Sequence, residues 1–79
     1  NIVGPDTIPV DGTCVYTVSS APNATIYVEA DIGIINRARV QSGKSFTLNA
    51  ANLEQGEVIT IKTGYKFWHG SATKEVTVV

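Results

Sequence analysis

The sequence predicts an all-β protein of two antiparallel layers. Apolar and polar side chains alternate with a period of two along most of the 79 residues, which is the pattern of strands buried on one face. Turn residues interrupt this pattern about every eight to twelve positions, a spacing typical of β-sandwiches and small barrels. No segment repeats its apolar side chains with helical spacing. We therefore expect a β-sandwich of about seven short strands.

The first strands are predicted from proline, glycine and alternation. Residues 8–10 form a short extended piece, and Pro9 places it at a sheet edge because proline cannot donate to a β-ladder. Asp11 and Gly12 supply a turn. Residues 13–19 then alternate, and the side chains predicted to face inward are Cys14, Tyr16 and Val18.

Three further strands are predicted in the middle of the chain. Residues 25–30 carry an apolar set on one face, with Tyr27 on the outer face. Residues 34–40 form a less regular extended piece, and residues 45–49 alternate again. The side chains predicted to face inward in the two regular strands are Ile26, Val28, Ala30, Phe46 and Leu48.

Residues 50–56 interrupt the alternation. Helix-forming residues followed by Gly56 predict one helical turn that glycine closes in the left-handed conformation. Leu53 is the one large apolar side chain of this segment and is predicted to plug the core. Two strands complete the chain, at residues 57–65 and 73–79, and Tyr65 is predicted to continue the inward set of the first.

Taken together, the stretches IVGPDTIPVDGTCVYTVSSAPNATI, FTLNAANLEQGEVITIKT and ATKEVTVV resemble bacterial immunoglobulin-like domains. The resemblance implies an immunoglobulin-like antiparallel β-sandwich that fills residues 1–79 as a single domain, excised from a longer chain. Such domains occur in bacterial surface proteins, in extracellular enzymes and in tail and capsid proteins of phages. The family has no shared catalytic site, so it implies neither catalytic residues nor cofactors. One departure is that the third strand, TIYVEA, lacks the tryptophan frequent in related sandwiches.

Composition narrows the function classes. Six basic and seven acidic residues are scattered along the chain, for a net charge of −1, which argues against nucleic-acid binding because phosphate backbones attract basic patches. No apolar run approaches the roughly 20 residues of a membrane span, so we expect no membrane insertion. Cys14 is the only cysteine, so no internal disulfide forms.

The residue types needed for catalysis are scarce. Cys14 and His69 are the only candidates for a nucleophile–base pair, and an inward cysteine is unreactive. One histidine and one cysteine are too few for a structural zinc site. Three aspartates, Asp6, Asp11 and Asp31, are better interpreted as turn residues than as calcium ligands. We expect a non-enzymatic protein with no metal and no cofactor.

The stretch GYKFWHG, residues 64–70, is the candidate binding region. Alternation places Trp68 and Lys66 on the exposed side and His69 in a loop, and Tyr27 would extend this patch if its strand is adjacent. Exposed aromatic side chains are enriched at recognition sites. A one-residue bulge at Gly64 would bury Trp68 instead. Core packing, contact with an adjacent domain and binding of an external ligand thus remain open, with core packing favoured.

The sequence as a whole favours an immunoglobulin-like accessory module of a phage virion protein, in a tail or capsid, that aids weak attachment to the host cell surface. The alternatives are a spacer or adhesion domain of a bacterial surface protein and a carbohydrate-binding accessory domain of a secreted enzyme. The expected partners are neighbouring domains of a larger assembly and cell-surface glycans. The expected location is a virion surface, a bacterial cell surface or the extracellular medium.

Overall fold

Alternating sequence segments form strands throughout the computed structural model, which describes residues 1–20, 22–65 and 72–79. The prediction of an all-β protein is confirmed, since no helix occurs among these residues. They form nine strands: β1 (Ile2–Val3), β2 (Thr7–Ile8), β3 (Thr13–Val18), β4 (Thr25–Ala30), β5 (Ile34–Ile35), β6 (Arg39–Gln41), β7 (Ser45–Asn49), β8 (Val58–Gly64) and β9 (Ala72–Val78).

The strands form two sheets with different numbers of strands. The four-stranded sheet has the order β1-β3-β7-β5, and the five-stranded sheet has the order β2-β9-β8-β4-β6. The count exceeds the predicted number of about seven for two reasons. β1 was not predicted, since the first predicted piece, residues 8–10, overlaps only β2, and the piece predicted at residues 34–40 divides between the sheets into β5 and β6.

One pair of strands runs parallel, which corrects the expectation of antiparallel pairing throughout. β2 lies beside β9, with Thr7 opposite Thr77 and Ile8 opposite Val78. This position at the end of the strand order confirms the predicted edge location. The other strand pairs within the described residues are antiparallel.

Both sheets bury one face in a common core. The rings of Tyr16 and Phe46 stack at its centre, with centroids 5.7 Å apart. The side chains predicted to face inward from β3, β4 and β7 are confirmed with two refinements, because Cys14 and Ala30 are only partly buried. The buried apolar side chains are Ile8, Tyr16, Val18, Ile26, Val28, Val40, Phe46, Leu48, Ala50, Ile59, Ile61, Val76 and Val78.

The crossing from β1 to β2 depends on Gly4 and Tyr16. A Cβ atom at Gly4 would lie 2.4 Å from Cδ2 of Tyr16, so only glycine fits beside the ring. The Tyr16 hydroxyl donates a hydrogen bond of 2.8 Å to the carbonyl of Pro5. Burial is the main cause that raises the pKa of Tyr16 to about 12, and the nearby Cys14 and Asp6 contribute.

An ion pair holds the same crossing to the last strand. Nζ of Lys74 lies 2.6 Å from Oδ1 of Asp6, and this hydrogen bond, together with the charge of Lys74, lowers the pKa of Asp6. The backbone adds a second connection, because the amide of Thr77 donates to the carbonyl of Asp6 over 3.0 Å.

The helical turn predicted for residues 50–56 is wrong. Two successive turns replace it, closed by the amide of Leu53 bonding to the Ala50 carbonyl and that of Glu57 to the Glu54 carbonyl. A side-chain oxygen bonds to the backbone of this segment, because Oδ1 of Asn49 accepts a hydrogen bond from the amide of Ala51. Such bonds compete with helix formation.

Two details of that segment were predicted correctly. Gly56 has a φ of 96°, which is the left-handed conformation that favours glycine. Leu53 is half-buried and packs against the core.

Candidate functional site

Three of the four candidate residues, Lys66, Trp68 and His69, lie outside the described residues. The fourth, Tyr27, lies on β4 and is half-buried. Its register partners are Gly64 on β8 and Arg39 on β6. The predicted adjacency between the strand of Tyr27 and the strand leading into the aromatic stretch is therefore confirmed.

Tyr65 differs from its prediction as a core residue. It follows the last residue of β8 and is half-buried, and its hydroxyl is hydrogen-bonded to the hydroxyl of Ser20. Because β8 ends at Gly64, the inward alternation stops at the buried Thr63. Tyr65 therefore lies beyond the buried face of β8 and is bonded to Ser20.

A small cavity lies beside Tyr65. It measures about 20 Å³ and is lined by Asn1, Val18, Ser19, Ser20, Ile26, Thr63, Gly64 and Tyr65. A volume of this size holds about one water molecule, which would find hydroxyl partners there. The cavity is too small for an organic ligand.

The outer face of the five-stranded sheet carries a row of charged and polar side chains. Glu29, Lys62 and Thr73 lie opposite one another on β4, β8 and β9, and residues that pair directly across strands share a face. Thr60 and Glu75 form the next row. Glu29 and Lys62 have opposite charges, which favours their cross-strand position.

A shallow groove of about 400 Å³ follows these rows. It is lined by Glu29, Ala30, Asp31, Thr60, Lys62 and Thr73. Asp31 is fixed at its end, because Oδ1 accepts hydrogen bonds of 2.8 Å from the amides of Ile32 and Thr60. These bonds continue the connection between β4 and β8 beyond the last residue of β4 and hold the carboxylate in place.

The outer face of the four-stranded sheet is different, because its strands β1, β3, β5 and β7, all within the described residues, contain no charged residue. The register places Val3 beside Thr17, Val15 beside Thr47, and Ile34 beside Asn49. The three aliphatic side chains are 56–59% exposed. The two outer faces of the molecule therefore differ sharply in charge.

The side chains considered for catalysis or metal binding are dispersed in the structure. Cys14 is half-buried, with Sγ 3.8 Å from the Thr7 carbonyl, and its candidate partner His69 lies outside the described residues. Asp6 pairs with Lys74, while Oδ1 of Asp11 accepts from the amide of Asn52. Within residues 1–20, 22–65 and 72–79, no three side chains of the metal-ligating types form a cluster.

The groove was not predicted from the sequence. Alternation places Glu29 and Lys62 on outer faces, but it gives no information about which strands lie side by side. Glu29 and Lys62 are 33 positions apart in the chain, and their proximity depends on the pairing of β4 with β8. The available signal was the opposite charge of two outward residues on neighbouring strands.

Among the described residues, no helix is long and apolar enough to cross a bilayer. No protein-family model, no curated protein and no solved structure matches this chain significantly.

Proposed function

We propose that this chain is a non-enzymatic immunoglobulin-like module that attaches weakly to a cell surface through the outer face of its five-stranded sheet. The observation that carries the proposal is the difference between the two outer faces. Charged side chains and Tyr27 lie on the five-stranded sheet, and the opposite face is uncharged. Aromatic and charged side chains on one exposed face favour recognition there.

The strand order supports the immunoglobulin-like part of the proposal. In immunoglobulin domains one sheet has the order A-B-E-D and the other contains G-F-C. The order β1-β3-β7-β5 corresponds to the first, and β9-β8-β4 corresponds to the second. One difference concerns the order of strands along the chain. β5 occupies the position of strand D, yet it comes before β6, the strand that lies beside β4.

The size of the candidate surface favours weak binding. The groove is about 400 Å³ and shallow, so a ligand would keep much of its surface in water, which limits the affinity. Several linked copies would gain avidity without any one tight site. This is the behaviour needed by a module repeated on a phage tail or capsid, which is the context we propose, with a virion or bacterial surface as its location.

The proposal is tested with biotinylated domain assembled into tetramers on streptavidin. Binding of the tetramers to a panel of Gram-positive and Gram-negative bacteria is measured by flow cytometry. We expect tetramers to bind at least one strain and monomers to bind about 100-fold less, as avidity predicts. Absence of tetramer binding from the whole panel would contradict attachment.

Matched variants locate the binding face. Replacing Arg39 and Lys62 together by alanine should lower tetramer binding about tenfold, which corresponds to roughly 1.4 kcal/mol. Replacing Thr17 and Thr47 by alanine changes the same number of side chains on the uncharged face and should leave binding unchanged. Equal losses in the two variants would refute the assignment of the face.

A further inference from the structure

We infer that the groove across β4, β8 and β9 binds an uncharged sugar chain. The inference rests on the proposed attachment function and names its ligand class. It is drawn from the described residues that line the groove, and residues 66–71 take no part in it.

The groove contains the hydrogen-bonding groups that a polyhydroxylated ligand needs. Sugar hydroxyls both donate and accept, and the carboxylates of Glu29 and Asp31 accept only. Lys62 donates only, and the hydroxyls of Thr60 and Thr73 do both. A neutral sugar can therefore satisfy acceptors, donors and hydroxyls within the same groove.

The geometry of the sheet matches an extended ligand. Glu29, Lys62 and Thr73 lie in one row across three strands, and neighbouring strands are about 4.8 Å apart, so the row spans about 10 Å. A disaccharide is long enough to contact all three positions at once. Several weak hydrogen bonds would then form together along one chain of sugar rings.

Asp31 supplies a fixed acceptor in the neighbouring row, beside Thr60 on β8. Both of its backbone hydrogen bonds engage Oδ1, so the lone pairs of Oδ2 remain for a ligand hydroxyl. Because the carboxylate is already held in place, a ligand loses little additional side-chain entropy on binding to it.

Charge distinguishes neutral from acidic sugars. The groove has two carboxylates and one ammonium group, those of Glu29, Asp31 and Lys62, which sum to one negative charge. On the surrounding face Glu75 adds a negative charge beside Thr60 and Arg39 adds a positive charge beside Tyr27, so the net charge stays at one negative. Sialic acids, uronic acids and phosphorylated sugars would meet net repulsion there, while an uncharged hexose would not.

Tyr27 lies next to the groove on the same face. It is two residues before Glu29 on β4, so about 7 Å separates their Cα atoms. An aromatic side chain next to Glu29 along β4 offers an apolar surface for the C–H groups of a sugar.

The test is a titration of the ¹⁵N-labelled domain followed by amide chemical shifts. The neutral probes are hexasaccharides of glucose (α1,4- and β1,4-linked), mannose and N-acetylglucosamine. The acidic probes are hexagalacturonate and hexasialate, and hexalysine represents a basic peptide. We expect one neutral probe to shift the amides of Glu29, Thr60, Lys62 and Thr73 with a dissociation constant of about 1 mM, which is weak binding. We expect the acidic probes to leave them unchanged.

Two isosteric or near-isosteric variants and one control complete the design. Glu29→Gln and Lys62→Met should each weaken the neutral sugar at least fivefold, while Thr47→Ala on the uncharged face should not. The spectra of the free variants report whether each is folded. The inference is overturned if no neutral probe moves the groove amides, if an acidic probe or hexalysine binds more tightly, or if the shifts map to the four-stranded sheet.

The outcome is separable from that of the attachment proposal. Tetramers that bind cells in the presence of every neutral hexasaccharide at saturation would leave attachment intact and refute the sugar ligand. A hexasaccharide that shifts the groove amides, combined with no cell binding, would support the sugar ligand and refute attachment to the cells tested.

Discussion

Ile59 and Val58 are adjacent on β8 and provide the strictest test of the register. Ile59 is 0% exposed and Val58 is 41% exposed, because successive side chains of a strand point to opposite faces. Ile59→Ala removes three carbon atoms from the core, which costs about 2.4 kcal/mol at roughly 0.8 kcal/mol for each buried carbon. The cavity left behind adds to this, so we expect a total loss of about 3–4 kcal/mol, within the range of 2–5 known for such changes.

Val58→Ala is the matched control. It removes two carbon atoms from a site that is already partly in water, so the same arithmetic gives about 1 kcal/mol or less. A domain of this length has a free energy of unfolding of about 4–12 kcal/mol, and Ile59→Ala therefore removes a large share of it.

Urea denaturation followed by far-ultraviolet circular dichroism measures both variants. With a slope of about 1 kcal/mol per molar urea, typical of small proteins, the midpoint of Ile59→Ala should fall by about 3–4 M and that of Val58→Ala by at most about 1 M. A larger loss for Val58→Ala would show that β8 is shifted by one residue, because such a shift exchanges the two faces. Equal losses would contradict the burial of only one of these two side chains.

Three further predictions concern the crossing between the sheets. Gly4→Ala should lower the free energy of unfolding by about 1–3 kcal/mol in urea denaturation, since its Cβ would meet the ring of Tyr16. Gly43→Ala is the control and should cost less, because no atom lies within 4 Å and the left-handed φ of 84° is the only penalty. The pKa of Tyr16 is raised to about 12, so the neutral hydroxyl stabilises the fold fully below pH 10 and this contribution is lost as the pH rises to about 12. Tyr16→Phe should abolish that part of the alkaline loss and lower stability at pH 7 by about 1 kcal/mol through the missing bond to Pro5; an unchanged alkaline profile would contradict the assignment. Asp6 has a lowered pKa because of Lys74, so its ionised form stabilises the fold above pH 3.8 and this contribution disappears as the pH falls through the folded-state pKa. Asp6→Asn should flatten the acid limb of the stability curve slightly, and an unchanged limb would mean that the pair of Asp6 and Lys74 contributes nothing.

Local alternation predicted the long strands well. Residues 13–18, 25–30 and 45–49 became β3, β4 and β7 with bounds within one residue of the prediction. Each of these strands buries one face only, so the alternation of apolar side chains in the sequence directly indicates which side chains are buried.

The short strands were less predictable. β1, β2 and β5 have two residues each, which is too few for a period to be recognised. Their existence depends on partners in two different sheets rather than on local pattern. The turns at residues 50–56 were not predicted because side-chain oxygens of Asn49, Asp11 and Glu57 bond to backbone amides there, while helix propensity is only a weak preference.

The candidate site was predictable only in part. The outward position of Tyr27 and its nearness to β8 followed from alternation and from the expected topology. The row of Glu29, Lys62 and Thr73 depends on pairing between strands that are distant in the chain, so no local pattern indicates it. The aromatic stretch at residues 64–70, the candidate binding region of the sequence, lies largely outside the described residues.

The parallel pairing of β2 with β9 has a mechanical consequence. If the two chain ends are pulled apart, as in an assembly that anchors one end and strains the other, the load runs along this pair in shear. The amide of Val79 donates to the Ile8 carbonyl, that of Val10 to the Val79 carbonyl and that of Thr77 to the Asp6 carbonyl. In shear these bonds share the force and must rupture together, whereas a pair pulled open from one end would lose them one at a time.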